Sequence, residues 1–181
     1  GVEKGLAREK LSILPRGLET EVFDLRHRDA DCWKKRGARG KVVLYVGRIS
    51  KEKELDFLAQ VAERMKGEPG FSFAFVGDGP LLPELKKKLP QAIFTGSLHG
   101  RELSAAYASA DVFAFPSTTD TYGNVVIEAM SSGLPVLVSD QGGPRELSRD
   151  SADGEVVSGG AADWDKAIHR VLGGMGDAEG R

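Results

Sequence analysis

Two carboxylates, Asp120 and Glu128, lie on either side of Gly123 in the stretch TDTYGNVVIEAMSSGLPVL (119–137). The apolar spacing after Gly123 predicts a helix with Asn124, Glu128 and Ser131/Ser132 in one polar stripe. At a rise of about 1.5 Å per residue, the two acids lie roughly 12 Å apart. Carboxylates accept hydrogen bonds from hydroxyls, and the first N–H groups of a helix bind phosphates. The spacing therefore predicts a site for a sugar, a diphosphate and a ribose, although a single acid on a helix more often only faces solvent.

A second group of charges follows the first apolar run, in GRISKEK (47–53). Arg48, Lys51 and Lys53 precede a predicted helix, where cations oppose the helix dipole by roughly 0.3–1 kcal/mol each. An anionic ligand would remove that penalty, because cations and helix amides would then act on it together. The alternative is a solvated basic turn, which is the commoner origin of such a pattern.

Three further motifs are weaker. The Gly-x-Gly of VGDGPLL (76–82) lacks the third glycine of a dinucleotide fingerprint and the acid that would bind a ribose, so we interpret it as a tight turn with Asp78 at its tip. The paired glycines before Pro144 form either an amide nest or a plain turn. His99, in GSLHG, is interpreted as a loop histidine rather than a general base.

Short apolar runs alternate with amphipathic segments from Lys41 onward. Strands are predicted at 41–47, 71–77, 92–96, 111–116, 133–139 and 154–159, and helices at 54–65, 79–89, 102–110, 124–132 and 162–174. Pro80 is expected in the first turn of the second helix, where a missing N–H costs nothing. This alternation predicts an α/β fold with a Rossmann-like parallel sheet covered by helices on both faces. Ligands of such sheets bind at the carboxyl ends of the strands, where the motifs above lie.

Composition excludes several classes of function. The 181 residues are 40% hydrophobic and 29% charged, with a net charge of -2, so no nucleic-acid partner is expected. One cysteine excludes an internal disulfide, and the three histidines lack metal-ligand spacing, so no metal is expected. No membrane span or signal peptide is visible. We expect a cytoplasmic protein in a reducing compartment, and we take Gly1 in place of Met as a sign of processing or truncation.

The order of the motifs resembles one enzyme family. GRISKEK, FVGDGP, FTGSL, ADVFAFPS, the 119–137 stretch and GGPREL occur as they do in retaining GT-B glycosyltransferases of the group one family, which include alpha-mannosyltransferases and sulfoquinovosyl- or galactosyl-type enzymes. The likeness runs from about Leu14 to Leu172. It implies the C-terminal half of a GT-B fold, with residues 1–40 as an interdomain segment packing on the domain and 41–181 as the nucleotide-sugar-binding domain.

The resemblance also implies roles for individual residues. Arg48 and Lys53 would contact the donor diphosphate, with Gly47 beside them, and Glu128 would hold the ribose. Asp120, with Arg48 and Lys53, would belong to the catalytic set and contact the transferred sugar. Three backbone amides would lie next to Asp120, those of Gly123, Asn124 and Val125. Leu98 would contact the base through its main chain. The first acid is Asp where the family usually has Glu, which leaves the identity of the sugar open.

The resemblance implies a donor-binding domain that moves a hexose from a UDP- or GDP-sugar to a glycan or lipid-linked acceptor, with retention and without a cofactor or metal. An N-terminal Rossmann-like domain carrying the acceptor site is absent from this sequence. We therefore expect a donor-binding fragment that is inactive alone, with any peripheral membrane contact made only through the absent half. The alternatives are a nucleotide-sugar epimerase of the same fold and a non-catalytic nucleotide-sugar-binding module.

Overall fold

The computed structural model describes residues 23–119, 123–142 and 154–179, with side chains up to residue 173. These ranges contain six strands and five α-helices. The elements are β1 (Lys41–Val46), α1 (Leu55–Arg64), β2 (Phe71–Val76), α2 (Leu82–Lys88), β3 (Ile93–Gly96), α3 (Gly100–Ser109), β4 (Val112–Phe115), α4 (Asn124–Ser131), β5 (Val136–Ser139), β6 (Gly154–Val157) and α5 (Ala161–Glu179). The predicted α/β class is confirmed.

The strands form one parallel sheet in the order β3-β2-β1-β4-β5-β6. Tyr45 of β1 is in register with Phe75 of β2 on one side, and Leu44 is in register with Phe113 of β4 on the other. The strand order reverses between β1 and β4, so the loops after these strands lead to opposite faces of the sheet. Such a reversal opens a crevice at the carboxyl ends of the strands, where α/β proteins bind ligands.

Helices cover both faces of the sheet. On one face α1 packs against α2 and α5, and on the other α3 packs against α4. The strands between them are mainly apolar, with Leu44, Val112 and Phe113 fully buried, because both sides of a covered parallel sheet face protein. Trp164 of α5 is buried to 2% exposure and meets the ring of Phe57 edge-on at 5.7 Å. The sheet is therefore a rigid platform for its loops.

Residues 23–40 pack on the domain through α3. The ring of Phe23 lies edge-on to Tyr107 at 5.6 Å. The Trp33 indole, 3% exposed, donates to the carbonyl of Ala106 at 3.1 Å. Two short 3-10 turns, Leu25–His27 and Lys34–Arg36, complete this segment.

Helix α2 begins later in the chain than predicted. The predicted helix 79–89 starts only at Leu82, so Pro80 precedes it and Pro83 occupies its first turn. The reason is tertiary: the N–H of Leu81 bonds the carbonyl of Ile49 at 2.9 Å instead of entering a helical ladder. Within the described residues, none of the helices has the length and apolar character that crossing a membrane requires.

Candidate functional site

The loops after β1 and β4 meet at the point where the strand order reverses. The Thr119 hydroxyl, in the loop after β4, donates to the carbonyl of Glu52 at 3.2 Å. Glu52 belongs to a 3-10 turn, Lys51–Lys53, in the loop after β1. This hydrogen bond brings the predicted basic turn next to the segment that leads into α4. The two motifs singled out in the sequence are thus neighbours in space.

The basic turn is held from below by β1. The Tyr45 hydroxyl donates to the carbonyl of Arg48 at 2.9 Å, while the Arg48 side chain is exposed and that of Lys53 is half-buried. The pKa of the Glu52 carboxyl is lowered chiefly by a hydrogen bond from its own N–H, and further by the charges of Arg48 and Lys53. Both cations therefore act on the same small region of space.

Glu54, which ends this turn, has a left-handed backbone with φ 57°. It is the one non-glycine residue of the described ranges with a positive φ. This conformation costs a side-chain-bearing residue about 1–2 kcal/mol. The strain reverses the chain between the 3-10 turn and α1, and it lies immediately after Lys53.

The Gly-x-Gly after β2 packs closely against the loop after β1, which contains the basic turn. A Cβ on Gly77 would collide with the carbonyl oxygen of Gly47, and a Cβ on Gly79 would collide with the carbonyl oxygen of Ile49. The N–H of Ile49 bonds the carbonyl of Asp78 at 2.9 Å, and the Asp78 carboxylate accepts the N–H of Gly79 at 2.7 Å. The tight turn with Asp78 at its tip is confirmed, and its glycines allow direct backbone contact with the loop after β1.

Helix α4 begins without a side-chain cap. Gly123 is its N-cap, with φ 53° in the left-handed region that favours glycine. The N–H groups of Val126 and Ile127 both point to the carbonyl of Gly123, at 2.8 and 3.2 Å. Asn124 is exposed and Val125 is half-buried. The first turn of α4 thus presents backbone N–H groups and the positive end of its dipole at the carboxyl edge of the sheet.

Glu128 lies one turn further along α4 and faces α3. Its Oε2 accepts a hydrogen bond of 2.7 Å from the hydroxyl of Tyr107, which is fully buried. Burial raises the pKa of Glu128, and the Tyr107 hydrogen bond partly lowers it again. Burial and then the Glu128 charge raise the pKa of Tyr107 well above its usual range, so the phenol keeps its proton. The predicted wet-face alternative is wrong for Glu128, because the carboxylate is half-buried and oriented.

The rest of the predicted polar stripe does not form a ligand-facing row. The hydroxyl of Ser132 is buried and donates to the backbone carbonyl of Glu128 at 2.9 Å, and Ser131 is half-buried. At the end of β3, Leu98 is half-buried and packs against the core, while His99 is the exposed N-cap of α3. The loop interpretation of His99 agrees with this position.

Asp120 lies outside the described residues, as do Gly143 and Pro144, so the predicted distance between Asp120 and Glu128 stays a prediction. Tyr107 was not among the residues predicted from the sequence. A signal was present: Tyr107 is the one aromatic residue in the run ELSAAYASA (102–110), and it carries a hydroxyl. The sequence cannot show which neighbouring helix would receive that hydroxyl.

Within the described ranges, one group could hold a cation. Potential ligand atoms of Glu68, Asp165 and His169 all lie within 4.8 Å of one another. However, Nε2 of His169 already contacts Glu68 at 2.7 Å and Nδ1 contacts Asp165 at 2.9 Å, on opposite sides of the ring. The group is therefore an ion-pair cluster between α5 and the segment before β2, away from the carboxyl edge.

Comparison with known proteins adds the family to this geometry. Residues 40–173 match the family described as "Glycosyl transferases group 1". The chain is 40% identical over 155 residues to the sulfoquinovosyl transferase SQD2 of Arabidopsis thaliana, covering 82% of this chain and 30% of that protein. It is 45% identical over 106 residues to a GDP-mannose-dependent alpha-mannosyltransferase of Mycolicibacterium smegmatis, covering 59% of this chain and 27% of that one. The chain thus spans less than a third of these two relatives.

Solved structures show the same fold. The C-terminal domain of a group 1 glycosyl transferase, LpcC, from Francisella tularensis matches with a TM-score of 0.73 and 22% identity, over 87% of this chain and 88% of that one. The Anabaena protein HepE, solved in complex with UDP and glucose, matches with a TM-score of 0.69 and 24% identity, over 83% of this chain and 45% of that one. At these identities the likeness concerns the fold alone.

Proposed function

The chain belongs to the group 1 family of glycosyl transferases, and we propose that it binds the nucleotide-sugar donor of a retaining enzyme. The donor is a UDP- or GDP-hexose, and the acceptor is a glycan or a lipid-linked sugar. Support for the donor class comes from relatives whose names specify GDP-mannose and from a neighbour of the same fold solved with UDP. The acceptor site lies in a preceding Rossmann-like domain of the GT-B fold.

One observation carries the proposal: Glu128 is a half-buried carboxylate, oriented by Tyr107, on the helix that follows β4 at the reversal of strand order. A carboxylate fixed by Tyr107 has its other oxygen available for two vicinal hydroxyls of a ribose. A merely structural acid in that position would be expected to pair with a cation, and among the described residues the partner is a neutral phenol. The geometry suits recognition of a neutral, hydroxyl-rich group.

The phosphates fit between Glu128 and the basic turn. Arg48 and Lys53 supply charge from the loop after β1, where Gly47 lets the chain turn away from the strand. The amides of Gly123, Asn124 and Val125 supply hydrogen-bond donors at the positive end of α4. These groups would neutralise the leaving diphosphate as its bond to the sugar breaks, which is an electrostatic role that requires no metal.

The two ends of the donor complete the assignment. Leu98, which follows β3, would contact the base through its main chain. Asp120, between β4 and α4, would accept hydrogen bonds from hydroxyls of the transferred hexose. In this arrangement Glu128 would bind the ribose of the nucleotide and Asp120 would bind the transferred sugar.

Calorimetric titration of this chain with UDP, GDP and a matching nucleotide-sugar tests the proposal. Glu128→Ala is expected to weaken binding of UDP or GDP by about 1–3 kcal/mol through lost ribose hydrogen bonds. Asp120→Ala is expected to weaken the nucleotide-sugar more than the nucleotide. Ser132→Ala, which leaves the Glu128 side chain untouched, is the matched control. Unchanged affinity in Glu128→Ala would remove this residue from the site, and equal losses of both ligands in Asp120→Ala would refute the division of labour.

A further inference from the structure

Positive charge is concentrated in one short segment away from the donor site. Residues 26–41 contain seven Lys or Arg and two Asp, although the whole chain has a net charge of -2. Like charges held close together repel each other, so such a concentration raises the free energy of the folded state unless an anion offsets it. The segment includes the 3-10 turn Lys34–Arg36 and ends at the first residue of β1.

This segment forms one wall of a cavity of about 460 Å³. The cavity lies at the amino edge of the sheet, since Lys41 begins β1 and Asp111 immediately precedes β4. Glu128 and the basic turn at 47–53 belong to the opposite, carboxyl edge. The volume falls in the range of pockets that bind small molecules, about 300–1,000 Å³.

Most of the cations that line the cavity form no close ion pair with the described residues. Arg28 and Lys34 are exposed, and within the described part of the chain neither forms an ion pair. Lys41 contacts Asp111 only loosely, at 3.8 Å. Asp111 itself accepts the N–H of Val42 at 2.7 Å, which ties its carboxylate to the start of β1. Three cations thus face one carboxylate that is already bonded, and the lining is net positive.

The rest of the lining consists of Trp33, short side chains and glycine backbone. Trp33 is buried to 3% exposure, with its indole N–H bonded to Ala106, so it closes the cavity without offering a stacking surface. Gly40 and Gly70 line it with backbone in the left-handed region, at φ 70° and 96°. A guanidinium and two ammonium groups around such a space match the several oxygens of a phosphate.

We propose that this cavity is a second anion site, which binds the phosphate group of a ligand other than the sugar donor. The site is independent of the proposed donor site, because it shares no residue with it and lies at the other edge of the sheet. The phosphate belongs either to a soluble ester or to a lipid headgroup. Asp111 favours a ligand that also carries a hydroxyl, since its carboxylate can accept a further hydrogen bond.

Nuclear magnetic resonance of the isotopically labelled chain locates the binding. Inorganic phosphate is titrated at constant ionic strength while the backbone amides of Gly40 and Gly70 and the indole N–H of Trp33 are followed. Saturable shifts at these groups are expected. In the double variant Arg28→Gln/Lys34→Gln, half-saturation is expected to require about tenfold more phosphate or higher, from the loss of two charged hydrogen bonds.

Lys86→Gln/Lys87→Gln is the matched control, because these two exposed cations of α2 do not line the cavity. It is expected to leave the titration unchanged, as is Arg48→Gln/Lys53→Gln in the donor site. The proposal is overturned if Gly40 and Gly70 do not shift, if they shift without saturation, or if both cavity and control variants weaken the response equally. Thermal unfolding confirms that each variant is folded.

Vesicle flotation separates the two sources of phosphate. Vesicles of phosphatidylcholine with and without phosphatidylglycerol are mixed with the chain and with Arg28→Gln/Lys34→Gln. Flotation that requires phosphatidylglycerol and is lost in the double variant assigns the site to a lipid headgroup. Saturable phosphate binding without flotation assigns it to a soluble ester. Absence of both responses overturns the site.

Discussion

The hydroxyl of Tyr107 donates a 2.7 Å hydrogen bond to Oε2 of Glu128, which joins α3 to α4 inside the face of the domain that they share. The contact fixes a carboxylate that would otherwise rotate about three side-chain bonds. It also couples the proposed ribose contact to a helix that begins at the end of β3, near Leu98. Positioning of the ribose and the base would therefore depend on the same packed pair of helices.

Tyr107→Phe is expected to weaken UDP or GDP binding by about 1.5–3 kcal/mol, because the half-buried carboxylate loses its one charged hydrogen bond among the described residues. Since the phenol lowers the pKa of Glu128, its removal raises that pKa further. As the pH is lowered, the variant therefore protonates Glu128, and loses nucleotide binding, at a higher pH than the unsubstituted chain does. Titration calorimetry across a pH series measures both effects. Equal pH dependence in the two proteins would show that Tyr107 does not act through Glu128.

Arg48→Gln/Lys53→Gln is expected to weaken binding of a nucleoside diphosphate by about 2 kcal/mol or more while leaving binding of the nucleoside nearly unchanged. The reason is that, in the proposed arrangement, both cations would contact the phosphates and neither would contact the base. Lys51→Gln is the matched control, since it removes an exposed cation from the same 3-10 turn. Comparison of UDP with uridine, and of GDP with guanosine, makes the measurement. Equal effects of the Lys51 and Lys53 substitutions would favour a solvated basic turn.

The ion-pair cluster around His169 predicts a pH-dependent stability. The pKa of His169 is raised first by the backbone carbonyl of Asp165 and further by the Glu68 carboxylate, with Asp165 adding its charge. Because the folded pKa is above the unfolded one, this stability is complete below about pH 6.5 and is lost as pH rises through the folded pKa. The charges facing the ring are Glu68 before β2 and Asp165 on α5, whose carboxylate also pairs with Arg64 of α1 at 3.5 Å.

His169→Gln is therefore expected to cost about 0.5–1 kcal/mol of unfolding free energy at pH 5.5 and much less at pH 8.5, the partly exposed position keeping the effect small. Urea denaturation at the two pH values measures it. His99→Gln, at an exposed helix N-cap, is the control and should show no such difference. A cost of His169→Gln that is equal at both pH values would attribute it to packing against Phe71 instead.

Glu54→Gly is expected to stabilise the chain by about 1 kcal/mol, because glycine adopts the φ of 57° without the steric cost that a side chain imposes. Gln60→Gly, on the exposed side of α1, is the opposite control and should cost about 1 kcal/mol. Both are measured by urea denaturation. If Glu54→Gly is neutral or destabilising, the left-handed residue is held by contacts of its own side chain.

The strands were predictable because each is a short, continuous apolar run ended by Gly, Pro or Ser, and observed limits differ from the predicted ones by a few residues at most. The C-terminal helix was predicted at 162–174 and extends to Glu179. Helix starts were harder to predict. The start of α2 depends on the bond from Leu81 to Ile49, residues separated by a whole strand and helix.

The candidate site was predictable only in part, because some of its contacts also join residues that are distant in the sequence. Residue type and spacing identified Glu128 and the basic turn, since charges in apolar surroundings are conspicuous in a sequence. Tyr107 was missed because its partner lies on another helix. The contact between Thr119 and Glu52, which brings the two loops together, likewise depends on the order of β1 and β4 in the sheet and not on any local pattern.

The two glycines after β2 set a limit on how this fold can diversify. At Gly77 and Gly79 the backbone of the turn after β2 lies directly against the backbone of the loop after β1. No flexible side chain lies between them that could move to make room for a larger residue. A lineage changing its sugar or its base would therefore keep this part of the crevice constant and vary the connections that follow β3 and β4. A library intended to alter donor choice should be randomised in those two connections and leave positions 77 and 79 untouched.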